Sequence, residues 1–132
     1  MSTTPQYAST PRVGIAQIST ANTNRDGTGT IGTVFTAGAN GSRIDALAIK
    51  ATGTVTAGMV RLFVNDGTNT RLLAELPVVA VTPAASTPAY EVQLNQNTMG
   101  QLFPIILPTG HNIGASTQNA ETFNVFGFGG DF

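Results

Sequence analysis

A chain of 132 residues is sized for a single domain that buries roughly two-thirds of its unfolded surface without covalent staples. It has 0 Cys, which excludes disulfide scaffolds and thiolate metal sites, and its net charge of −1 gives no electrostatic case for nucleic acid. Charged residues make up only 10% of it, against about 25% in ordinary soluble domains, with Thr, Asn, Ser and Gly carrying the polarity instead. A diffusing monomer usually keeps a more charged surface, so this composition suits a subunit packed in an assembly. A Thr-rich sandwich with a neutral surface suits it equally.

Taken in order, residues 1–11 read as a flexible arm: two prolines and small polar residues bury little, and Tyr7 is its one bulky anchor for a partner. The competing reading is a frayed terminus. The stretch lacks the basic start and apolar core of a signal peptide, and no apolar run is long enough to cross a bilayer. Residues 12–19 alternate as a first strand, with Val13, Ile15 and Gln17 against Gly14, Ala16 and Ile18. A polar loop over 20–30 centres on Arg25-Asp26-Gly27. A second strand over 31–36 puts Ile31, Thr33 and Phe35 on one face. Residues 42–52 form a third strand, apolar on both faces in its middle, which suits a central position.

Residues 58–78 read as a hairpin, and the rest of the chain is organised around it. Strand formers over 59–64 run into Asn65-Asp66-Gly67, where Gly supplies positive φ at no steric cost, and the chain returns over 70–78. Pairing about Gly67 puts Val60, Leu62 and Val64 on a core face with Leu72 and Ala74. Met59, Arg61, Phe63, Arg71, Leu73 and Glu75 fall on the opposite face, a mixed wall of the kind covered by neighbours or another subunit. Residues 79–88, with two prolines, form a loop or edge. Further strands are expected over 89–95, 102–107 (interrupted by Pro104), 111–116 and 122–128, with 96–101 a loop or short turn. On the last strand Phe123 and Val125 share one face, and Phe126 and Phe128 share the other. That strand is covered twice, either within one subunit or with its second face against a neighbour. The glycines at 127, 129 and 130 permit close backbone approach and favour the neighbour.

Eight or nine short strands about ten residues apart, with no convincing helix, specify an all-β protein: an antiparallel β-sandwich, an eight-stranded jelly roll by strand number. The arm spans residues 1–11 and the sandwich domain residues 12–132.

Catalytic chemistry finds little purchase. His111 is the only histidine, and the sequence sets no Asp beside it to build a nucleophilic triad. The carboxylates at 26, 45, 66, 75, 91, 121 and 131 are scattered singly, and the two Asp-Gly loops lack the alternating acidic ligands of calcium sites. The glycines at 27, 29, 32, 38 and 41 do not open a helix after a strand, as a phosphate-cradling loop requires. With 0 Trp and 2 Tyr, stacking platforms for sugars are scarce. We expect no enzymatic activity, no cofactor and no metal. We expect self-association as a homotrimer, with Tyr7, Arg61, Phe63, Arg71, Phe126, Phe128 and Phe132 as candidate partner contacts.

Several stretches together carry a family resemblance: Thr33-Val34-Phe35-Thr36-Ala37-Gly38 through Ser42-Arg43-Ile44-Asp45, Ile49-Lys50-Ala51-Thr52-Gly53-Thr54, Thr56-Ala57-Gly58-Met59-Val60-Arg61-Leu62-Phe63, and Ala120-Glu121-Thr122-Phe123-Asn124-Val125. Over most of residues 12–132 the chain resembles small jelly-roll virion structural proteins of tailed bacteriophages, the capsid decoration or cement proteins. The resemblance implies a protein made in the host bacterial cytoplasm and carried on the virion, at the capsid surface. It would bind the major capsid protein and bridge shell subunits, with no enzymatic residues to carry over. The alternative is a tail or fibre β-sandwich that recognises a host surface glycan.

Overall fold

The computed structural model describes residues 8–98 and 102–132. Nine strands, β1 (Thr10–Ile18), β2 (Gly32–Thr36), β3 (Ser42–Ala51), β4 (Gly58–Asn65), β5 (Thr70–Val78), β6 (Glu91–Leu94), β7 (Ile105–Leu107), β8 (Asn112–Thr117) and β9 (Phe123–Asp131), form two sheets, with no helix among the described residues. The first sheet runs β1-β9-β3-β6, with β7 also paired to β3; the second runs β2-β8-β4-β5. All strand pairs are antiparallel, and the two sheets pack as a β-sandwich.

The pairing is nested. The β4–β5 hairpin is innermost in sequence, and β3–β6, β2–β8 and β1–β9 close around it in turn. Local chemistry starts the nest: Gly67 sits at φ 97, the Asn65 carboxamide oxygen accepts from the Gly67 N–H at 2.7 Å, and the Asp66 carboxylate accepts from the Thr68 and Asn69 N–H groups. Pro11 and Pro77 lie in β1 and β5, each at a sheet edge, where a missing N–H costs no ladder bond.

Between the sheets lies one core, built from Ile44, Leu47 and Ile49 on β3, Val60 and Leu62 on β4, Ile113 and Ala115 on β8, and Phe123 and Val125 on β9. At the β1 edge, a Cβ on Gly14 would stand 2.1 Å from the Val34 carbonyl oxygen, so only glycine lets the two sheets meet there. Arg12 fastens the same edge. Its guanidinium stacks 4.5 Å from the Phe35 ring centroid and donates to the Thr36 carbonyl and the Asp131 carboxylate.

Four expectations need correction. The β4–β5 register shifts between Leu62 and Phe63, so that Leu62 faces Ala74 but Phe63 faces Leu72. The extra residue, Leu73, packs on the core and Leu72 joins the opposite face, the reverse of simple alternation about Gly67. A second shift between Thr33 and Phe35 buries Val34 and Phe35 together, so Phe35 turns away from the face of Ile31 and Thr33. The arm boundary moves, because Thr10 and Pro11 pair with Asp131 and Gly130 as part of β1. β9 likewise runs on through its glycines to Asp131. Tyr7, the proposed anchor, lies outside the described residues.

Candidate functional site

The two sheets each have an outer face, and the two faces differ. On the first sheet, cross-strand registry lines up Val13, Phe128 and Ala46 in one row and Ile15, Phe126 and Ala48 in the next. The Phe126 and Phe128 rings stack with centroids 6.3 Å apart and planes inclined by 19°. Val13 is 54% exposed, Ile15 67%, Phe128 41% and Ile106, on neighbouring β7, 56%. Of the five large hydrophobic side chains exposed among the described residues, these four share this face; the fifth is Val79. Ion pairs bound the patch at each end: Arg43 to Asp45 at 2.7 Å, and Lys50 to Glu91 at 3.4 Å. Each is closed on its own sheet, so the face presents apolar surface framed by neutral pairs.

On the second sheet the outer face carries Arg61 and Phe63 of β4, yet these are 2% and 1% exposed. Their cover comes from the chain itself. The connection 19–31 folds over this face, and Asn22 holds it down: its N–H donates to the Thr117 carbonyl at 2.8 Å and its side-chain amide donates to the Thr28 and Thr30 carbonyls. Arg25 reaches across to the Glu75 carboxylate at 2.9 and 3.0 Å. Glu75 also accepts from the Arg61 Nε at 3.2 Å, and Arg61 Nη2 donates to Gln118. The Arg25 hydrogen bond, with a further contribution from Arg61, holds the Glu75 carboxyl below its ordinary value. Arg61 Nη1 and the hydroxyl of its cross-strand neighbour Ser116 are buried with no hydrogen-bond partner among the described residues.

Between this connection and the sheet a cavity of about 250 Å³ remains. Gly27 and Gly29, both at positive φ, roof it. Ile31, Thr33, Phe63, Asn65, Thr70, Asn112 and Gly114 complete its lining. Among the described residues no charged side chain lines it.

Of the candidate contacts from the sequence, Phe126 and Phe128 thus belong to an open face, while Arg61 and Phe63 are sealed within the chain and are corrected as partner contacts. Arg71 is exposed near the hairpin tip, and Phe132 sits half-buried against Gly41. Alternation in β1 was readable, but which half pointed outward was not, so Val13 and Ile15 were missed, as was Ile106. Asn22 was missed because one Asn in a polar loop carries no periodic signal. His111 lies close enough to Asp66 for its charge to help hold that carboxylate low, behind the backbone donors of Asn69 and Thr68. Among the described residues no group of three or more His, Asp or Glu side chains is placed to hold a metal.

No family model, curated protein or solved structure matches this chain.

Proposed function

We propose that the protein is a structural component of a tailed-phage virion, a decoration or cement protein that docks through the outer face of its first sheet and bridges capsid subunits. The observation that carries this reading is the apolar patch of Val13, Ile15 and Phe128 with half-buried Phe126, uncovered among the described residues and framed by neutral ion pairs. Contiguous exposed apolar surface of this kind marks an interaction site. The sequence resemblance supplies the setting, and the strand order supports its jelly-roll form: nested antiparallel pairs divided between two sheets are what two Greek keys produce. Assembly as a homotrimer, with the major capsid protein as the larger partner, completes the reading. Clamping of this sort works by adding buried interface, about 1,600 Å² in total for a standard contact, repeated by the symmetry of the shell.

The test compares the wild-type chain with Ile15→Asp and Phe128→Ser for binding to undecorated shells, alongside native mass spectrometry of each. Wild type binds in hundreds of copies per particle. Each variant loses at least about tenfold in affinity, or roughly 1.4 kcal/mol, with an unchanged melting temperature. Equal binding by the variants would remove this face from the attachment, and a handful of copies per particle would favour a fibre or baseplate position.

A further inference from the structure

We propose that the cavity beneath the connection 19–31 is a binding site for a single neutral sugar ring of a glycan. The inference goes beyond the role in the shell and stands on different residues. Protein interiors are close-packed, with few voids larger than a water molecule. Here about 250 Å³ stays open between the connection and the sheet, with Gly27, Gly29 and Gly114 among its lining residues. A Cβ at Gly27 would stand 2.5 Å from the Thr70 carbonyl oxygen, and one at Gly114 would stand 2.6 Å from the Ile31 side chain. A side chain at either position would collide with these neighbours, so the connection can lie this close to the sheet only with glycine there.

The roof is also fixed in place. Asn22 ties it to β8 and to its own backbone, Asp26 accepts from the Thr28 N–H and hydroxyl, and Arg25 is clamped to Glu75. A roof held by this many bonds keeps the cavity formed before any ligand arrives, which lowers the ordering cost of binding.

Size and chemistry then select the ligand. The volume falls below the roughly 300–1,000 Å³ of sites that take drug-sized molecules, and fits one ring. The lining offers amides and hydroxyls, from Asn65, Thr70, Asn112 and Thr33, and the accessible surface of the cavity is mostly polar. Amides and hydroxyls both donate and accept, as the periphery of a sugar does. Among the described residues no charged side chain lines the cavity, which disfavours phosphate, sulfate and uronate, since these need a cation. The site opens on the second sheet, so a molecule attached by its first sheet would present it away from the shell.

The experiment is an amide-resolved NMR titration of the full chain with glucose, galactose, mannose and N-acetylglucosamine, with glucuronate as the charged comparison. At least one neutral sugar should give saturable shifts at Gly27, Gly29, Asn65, Asn112 and Gly114, with a dissociation constant on the order of 1 mM. Asn112→Leu should weaken it at least about tenfold. Thr33→Val, which keeps shape and strand propensity, should weaken it to a smaller degree and serves where Asn112→Leu fails to fold. Four results would each overturn the proposal: no saturable shift at roughly tenfold above that concentration, shifts confined to the Val13–Phe128 face, shifts indifferent to both substitutions, or glucuronate binding as tightly as the neutral sugars. The shell-binding assay reads only the first sheet, so either proposal can fail without the other.

Discussion

β4 and β9 pose the same problem and solve it differently. Both strands are apolar or bulky on both faces, and both lie inside their sheets, with one face on the common core. The second face of β4 is covered by the molecule's own connection 19–31, which seals Arg61 and Phe63; the second face of β9 leaves Phe128 open beside Val13 and Ile15. A two-faced apolar strand therefore announces that it will be covered, but not by what. Intramolecular cover needs anchoring bonds such as those of Asn22 and Arg25. The β9 face is bounded by ion pairs closed on themselves and carries no such anchored cover among the described residues.

The sharpest test of this contrast is a pair of truncations. Phe63→Ala should destabilise the monomer by about 3–5 kcal/mol, the usual loss for a buried Phe, although Phe63 lies on an outer face. Phe128→Ala should cost about 1 kcal/mol, in keeping with its partial exposure. Both are measured by urea denaturation at concentrations too low for association. Equal losses would mean that the two faces are covered alike and that the contrast fails.

A smaller effect isolates the cover itself. Asn22→Ala removes the side-chain donors to Thr28 and Thr30 and the acceptor for the Asn24 N–H, at 3.0 Å each. Leaving such groups unpaired costs about 1–3 kcal/mol. The expected outcome is faster amide exchange across 20–30 and new exposure of Phe63, seen as binding of an apolar dye, with exchange in β9 unchanged. If β9 exchange rises equally, Asn22 is holding the whole sandwich together rather than fastening a cover.

These elements also mark how far the sequence could be read. The sandwich, the hairpin and the two faces of β9 were legible because period-two patterning and Asp-Gly turn chemistry are local signals. The bulges in β2 and β5 were not. Leu73 and Val34 shift the register by one residue where strand-forming residues run on without interruption, so alternation projected through them assigns Leu72 and Phe35 to the wrong sides. The cover was equally invisible. The polar segment 20–30 reads as an ordinary loop, and its fate depends on Thr117, Glu75 and Gly114, all far along the chain.

Acid should separate the two faces by the mildest route. The Glu75 carboxyl lies below its ordinary value chiefly through its hydrogen bond from Arg25, with Arg61 adding to it. The folded state therefore binds this proton less readily than the unfolded state does. Its contribution to stability is complete above the unfolded value and fades as pH falls through the folded one. Asp131, held low by Ser42 and then Arg12, follows the same sign at the β1 edge. The two are told apart by where they act. Protonating Glu75 leaves the buried Arg61 guanidinium without its counter-charge and frees Arg25, so the cover should loosen before the sandwich unfolds. The readout is exchange of the Asn22 amide, whose hydrogen bond to Thr117 marks the closed cover, corrected for the intrinsic effect of pH. In the wild type, protection falls as pH drops below about 4.5, the region where a free Glu takes up its proton. In Glu75→Gln, protection starts lower and loses that dependence, while the acid response of Asp131 at the β1 edge persists. Protection of Asn22 that stays level to the point of global unfolding would show that the ion pairs decorate the cover and that hydrogen bonding by Asn22 alone keeps it shut.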